Sequence, residues 1–224
     1  MQVRKLNMIN MDFKQRVVIN TAEKAWEKSP SPGVMRKPLA RENRESGHAT
    51  SIVRYEAGAK FTSHNHPLGE EIYVLSGVFS DETGDYPAGS YFRNPMGFIH
   101  APFSIQGCEL LVKLHQMSPL DTQRISIDTA QQTWLPGYGN LKVKPLHSFE
   151  NENVALVFWP AGERFVLHNH FNGEEIYVIS GELIDELGHY PAGTWIRSPH
   201  LSAHQPYVEQ DTLIWVKTGH LAEN

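Results

Sequence analysis

The chain has 224 residues, a formal net charge of −5 and 20% charged residues, the composition of an ordinary globular protein long enough for one large or two ordinary domains. Its scattered basic residues leave no footprint for nucleic acid, and its one cysteine, Cys108, excludes an internal disulfide framework. No run of eighteen apolar residues occurs and the start, Met1 to Met8, lacks an apolar stretch after its basic residues, so neither a spanning helix nor a secretory leader is expected. A cytoplasmic, soluble protein is the expectation, with no nucleic-acid or membrane partner.

Strand signals dominate the chain from beginning to end. An N-terminal arm, residues 1–16, precedes Arg16-Val17-Val18-Ile19-Asn20, which recurs as Arg124-Ile125-Ser126-Ile127-Asp128; each run is followed by Thr-Ala and then a tryptophan, Trp26 or Trp134. Ala22 to Glu27 is the one stretch that reads as a helical turn or two. The segment Lys28-Ser29-Pro30-Ser31-Pro32-Gly33 reads as a surface loop, and Lys37-Pro38-Leu39 returns as Lys144-Pro145-Leu146. Leu110 to Leu114 and Leu213 to Lys217 are the closing strands of two repeated units, which divide the chain into 17–118 and 119–224, with Met117 to Gln123 as linker. Cys108, between Gly107 and Glu109, reads as a strand-edge or buried thiol.

Within each repeat lies one constellation of polar residues. The first copy reads Gly58-x5-His64-x-His66-x3-Glu70-x6-Gly77, with His100 further on; the second reads Gly162-x5-His168-x-His170-x3-Glu174-x6-Gly181, with His204. One constant offset maps all four polar residues of the first set onto the second. Residues i and i+2 of a strand share a face, so each His-x-His sets two imidazoles side by side. The turns Pro67-Leu68-Gly69 and Phe171-Asn172-Gly173 then send a carboxylate back toward them, and the third imidazole must come from another strand of a closed barrel or sandwich. Three neutral nitrogens and one anionic oxygen make a divalent-metal site. A lone histidine on an apolar strand is usually structural, but two registered copies of a four-ligand set, in a duplicated unit, are not accounted for that way.

These segments resemble the cupin superfamily. Both match its first motif in full; Gly89, Pro95, Gly97 and His100 match the second, with Ser104 where asparagine is usual, and Gly193, Pro199 and His204 match it in the other copy, with Leu201 at the turn glycine and Val208 at the asparagine. The closer similarity, carried by Tyr86-Pro87-Ala88-Gly89-Ser90-Tyr91 and Tyr190-Pro191-Ala192-Gly193-Thr194-Trp195, is to the cupin-like domain of ChrR-type anti-sigma factors, in two tandem copies. The resemblance implies an all-β fold of two tandem jelly-roll barrels, a bicupin. It also implies one zinc ion per barrel, on His64, His66, Glu70 and His100 and on His168, His170, Glu174 and His204; the donor chemistry by itself also suits iron, nickel, copper or manganese. The sigma-binding part of such proteins is a separate helical domain with a Cys-x-x-Cys pair, which the one cysteine of this chain does not supply.

Two functions follow from this pattern. A non-catalytic regulatory or sensor module in transcription regulation, as in an anti-sigma factor, is the reading the resemblance implies first; a metal-dependent dioxygenase or related enzyme on a small oxygenated or aromatic substrate is the alternative, supported by Phe98, Ile99 and Phe103 near His100. The expected partners are accordingly a sigma factor or other protein, a small-molecule ligand, or a second copy in a homodimer. The sequence assigns no catalytic residue and no organic cofactor. Strand alternation turns Glu71 and Glu175 away from the ligand face as outward ion-pair or interface residues, and Tyr73, Tyr177, Arg93 and Arg197 read as packing and surface pairing. His200 reads as a solvent-facing loop residue. Leucine resists positive φ, so Leu201 predicts a turn before His204 unlike the one before His100, and a weaker second site.

Overall fold

The computed structural model describes residues 8–221. The described residues contain twenty-one strands and no helix, and they form two compact all-β units. Ala22 to Glu27 is not helical: residues 21–24 form turns and bends, and Glu27–Lys28 is a short strand.

In the first unit, the main antiparallel sheet runs in the order Ile125–Asp128, Ser90–Asn94, Glu70–Asp81, Cys108–Leu114, Ala49–Tyr55, Val34–Arg41 and Glu27–Lys28. The second unit repeats it as Val17–Asn20, Thr194–Ser198, Glu174–Ser180, Thr212–Thr218, Glu152–Trp159, Lys142–Phe149 and Leu135–Pro136. The edge strands are therefore exchanged relative to the repeat. Val17–Asn20 pairs with Thr194–Ser198, and Ile125–Asp128 with Ser90–Asn94, so among the described residues the units comprise 8–11 with Ala25–Gln131, and Asp12–Lys24 with 132–221. The repeat places each edge strand with the copy that follows it in sequence; backbone pairing places it with the other.

Alternation along these strands builds the barrel interior. Ile72, Val74, Phe92, Leu110 and Val112 face inward and are at least 93% buried, and Ile176, Val178, Ile196 and Ile214 do the same in the second unit. Full burial of such a side chain is worth about 1.5–3 kcal/mol. Cys108 belongs to the first core, and burial pushes its thiol up to about 11, so it is an inert core residue.

The opposite face is also buried, which the sequence reading did not anticipate. Glu71 and Glu175 do point away from the ligand face, but they are 2% and 1% exposed. Arg93 Nη1 lies 3.3 Å from Glu71 Oε1 and its Nη2 2.8 Å from Asp121 Oδ2, while the Tyr91 hydroxyl donates to Glu71 at 2.7 Å. In the second unit Trp195 Nε1 donates to Glu175 at 3.4 Å, and His220 Nε2 lies 3.4 Å from its other oxygen. These are interior charge networks rather than surface pairs.

Candidate metal centre

The first histidine of each pair sits on a two-residue strand, His64–Asn65 or His168–Asn169, with His66 or His170 directly after it; that strand pairs with Ile99–His100 or Ala203–His204 so that His64 lies opposite His100 and His168 opposite His204. The third histidine is thus delivered across a ladder. The turns between His66 and Glu70 and before His100 share one acceptor: the carbonyl of His66 takes N–H bonds from Gly69 and Gly97 at 3.2 and 3.1 Å. The carbonyl of His170 takes them likewise from Gly173 and Leu201, at 3.1 and 2.9 Å.

Leu201 corrects an expectation. It adopts φ 60°, in the left-handed region where Gly97 sits at 81°, so the turn is kept and the leucine bears the strain, about 1–2 kcal/mol. His200, a half-buried loop residue, also has a structural part: its Nδ1 accepts the Asn172 N–H at 2.8 Å and its ring packs on Phe171, which braces Asn172 at φ 56°.

The donor atoms converge. In the first unit His66 Nε2 and His100 Nε2 are 2.9 Å apart, and Glu70 Oε2 is 3.5 Å from both. In the second, His170 and His204 Nε2 are 3.1 Å apart, with Glu174 Oε2 at 3.4 and 3.7 Å. Donors of the three histidines in each unit lie within 4.8 Å of one another. Ligands at 2.0–2.1 Å from one ion stand about 2.9–3.4 Å apart in octahedral or tetrahedral arrangements, so the spacing suits a divalent cation. Glu174 Oε2 is buried with no hydrogen-bond partner among the described residues, an orphan acceptor that a cation would satisfy.

Groups behind the ligands fix which nitrogen is offered. His64 and His168 place Nδ1 at 3.0 and 2.9 Å from the carbonyls of Thr62 and Val166; a proton there leaves the Nε2 lone pair for the ion. His100 and His204 place Nδ1 at 3.1 and 3.3 Å from Asp81 and Asp185. Tyr190 donates to Asp185 at 2.6 Å, and Arg16 donates to the Tyr190 hydroxyl at 2.7 Å. In the first unit Arg124 donates to Asn94, Thr83 and Tyr86, and Asn94 donates to Glu70 at 3.1 Å. Each exchanged edge segment therefore carries an arginine that braces the groups behind the ligands. The sequence reading missed Asp81 and Asp185, although the same offset that relates the ligands relates them.

Burial dominates the electrostatics before an ion binds. It lowers His66 and His168, and takes His170 to about 3, with His204 and His168 adding repulsion. Burial would also lower His100, but the Asp81 hydrogen bond and the charge of Glu70 outweigh it and hold that imidazole above its usual value. Burial raises Glu174 to about 7. A protonated Glu174 must lose its proton to ligate, whereas His170 is already neutral above its lowered pKa. Uptake at the second site should therefore release a proton from Glu174 at about pH 6 and almost none from it at about pH 8, with affinity rising up to tenfold per pH unit below about 7. Indicator absorbance during titration of zinc into the His64→Ala variant reads this; pH-independent proton release would contradict it.

A cavity of about 250 Å³ opens onto His64, His66 and Glu70 in the first unit, with Ile72, Val112 and Phe61 among its apolar walls. Phe98 packs edge-on against His100, whereas Ile99 is 62% exposed.

Among known proteins, the model of the ChrR cupin-like domain family matches residues 14–118 and again 122–222. No curated protein matches the chain significantly. Solved structures similar in fold include a provisionally named dioxygenase from Nostoc punctiforme, 17% identical with a TM-score of 0.76 over 94% of this chain and 85% of that one. Protein Ylba from E. coli is 12% identical, TM-score 0.72, over 95% and 94%. A single-residue variant of the oxalate decarboxylase of Bacillus subtilis is 14% identical, TM-score 0.63, over 90% and 76%. With both units covered by the family model and the repeated ligand geometry in each, this chain belongs to the ChrR cupin-like domain family, as a tandem pair of cupin domains.

Proposed function

We propose that the chain is a divalent-metal enzyme whose first unit acts on a small organic molecule, of the oxygenase or decarboxylase type. The carrying observation is the cavity of about 250 Å³ that reaches His64, His66 and Glu70, because a closed, purely structural metal site has no need of a ligand chamber. A bound ion would supply Lewis-acid polarisation of a ligand oxygen. The chain's own part is to hold the Nε2 lone pairs toward the ion through Thr62 and Asp81, and to keep water off the ligand with the apolar wall. The names of the fold neighbours are in keeping with this, since they include a provisionally named dioxygenase and an oxalate decarboxylase described with Mn(II) centres. Zinc, iron, nickel and manganese all suit the donor set.

The second reading is a regulatory module that binds a sigma factor or another protein. Membership in the ChrR cupin-like family and the retention of all four ligands in both units favour it. The two are separated by loading the His168→Ala variant with cobalt and adding azide. An enzyme site with an open coordination position changes its visible spectrum as azide binds; an unchanged spectrum leaves the closed, regulatory site standing and removes the enzyme reading.

A further inference from the structure

The cavity of the first unit contains a charge that the metal ligands do not use. On the strand Val34–Arg41, residues Val34, Arg36 and Pro38 pair with Tyr55, Val53 and Ser51, and a bulge between Pro38 and Ala40 then inserts one residue, so that Arg41 pairs with Ala49. The extra residue reverses alternation and turns Arg41 to the inner face. There it is 8% exposed and lines the cavity. Its Nη1 donates to the Arg44 carbonyl, its Nε has no hydrogen-bond partner, and no described carboxylate lies within ion-pair distance of it. Glu45, the acidic neighbour, has both oxygens on Arg36 at 3.0 and 2.7 Å. Ser51, on the adjacent strand, also lines the cavity with a buried, unpartnered Oγ.

A buried guanidinium with no carboxylate in direct contact is costly. Burial, and then the nearby Arg36, work against its protonated form; the more distant charges of Glu45 and Glu27 favour it but do not outweigh them. An incoming anion would relieve that penalty. Its planar fork of donors matches the two oxygens of a carboxylate, and the apolar walls of the cavity suit the body of a small organic acid. The second unit repeats the bulge, between Pro145 and His147, but places Ser148 opposite Asn153, so the charge is a property of the first unit alone. Arg41, Ala49, Leu114 and Glu70 form one row across four strands, about 14 Å along the curved sheet and less across it.

We propose that Arg41 and Ser51 form a carboxylate subsite, so that the first unit takes a small organic acid whose apolar body spans from this pair to the metal ligands. The proposal rests on the reading of the first unit as a ligand-binding metal site.

The test is calorimetric titration of the cobalt-loaded full chain with hexanoate and with hexanamide, its neutral counterpart. The wild type should bind hexanoate about tenfold or more tightly than hexanamide, and Arg41→Gln should reduce that ratio to about twofold or less, with Ser51→Ala giving a smaller loss. Arg41→Lys keeps the charge without the fork and should retain part of the preference. Equal hexanoate affinity in wild type and Arg41→Gln overturns the subsite and leaves Arg41 as an anchor for the loop carrying Arg44. If Arg41→Gln does not fold, the wild-type comparison decides alone, since no preference for hexanoate over hexanamide overturns the proposal. Azide bound to cobalt in the His168→Ala variant reports the open metal position separately: a spectral response with no carboxylate preference rejects the subsite and keeps the enzyme reading.

Discussion

Replacing Arg93 by methionine should cost the first unit about 3–5 kcal/mol, because it leaves Glu71 and Asp121 buried without the guanidinium that they share. All three side chains are at most 3% exposed, and Arg93 reaches the two carboxylates at 3.3 and 2.8 Å. The loss is not one of packing, since methionine fills much of the same space. Adding Glu71→Gln and Asp121→Asn removes the orphaned charges and should recover most of the lost stability, as expected when a whole buried network rather than one partner is replaced. Urea unfolding followed by a probe in the first unit reads both variants. A single variant within about 0.5 kcal/mol of wild type, the range of ordinary surface substitutions, would show that the network is effectively solvated and that the outer sheet face is open.

The same network shows what was legible beforehand. His-x-His, the returning glutamate and the distant histidine were readable because local alternation fixes their faces and duplication supplies a second witness. Asp81 and Asp185 carry the same duplication, yet an aspartate beside Thr83-Gly84 or Leu187-Gly188 reads as a turn former, and only the folded hairpin brings it under a histidine. Exchange of Val17–Asn20 and Ile125–Asp128 was illegible for another reason. Both are short apolar strands of the same pattern, either is chemically fit for either sheet edge, and pairing over such a sequence distance leaves no local trace. Arg41 was hidden by the bulge, since simple alternation from Val34 would have put it outside. Leu201 misled in the opposite direction: propensity argued against the turn, and the hydrogen bond to the His170 carbonyl with the surrounding ladder enforced it.

Exchanging one glutamate for glutamine at adjacent positions should separate ligand from scaffold. Glu70 pairs with Asn94 and Glu71 with Arg93 across the same two strands, so neighbouring carboxylates serve opposite faces. Glu70 Oε2 is 3.5 Å from two ligand nitrogens, and glutamine there replaces an anionic donor by a neutral one. With the second site disabled by His168→Ala, Glu70→Gln should lower zinc affinity by more than the roughly 10- to 100-fold loss typical of groups acting behind a ligand. Glu71→Gln should keep a full equivalent of zinc and instead lower the melting temperature, because it weakens the contacts to Arg93 and Tyr91. Metal content by mass spectrometry after equilibration at matched free zinc, with thermal unfolding of the same samples, reads both effects. If Glu71→Gln empties the site while Glu70→Gln fills it, the strand register is off by one residue. The ligand face, the buried charge network and the inward turn of the neighbouring strands would then all be misassigned together, because in a sheet a single slip moves every side chain to the other side.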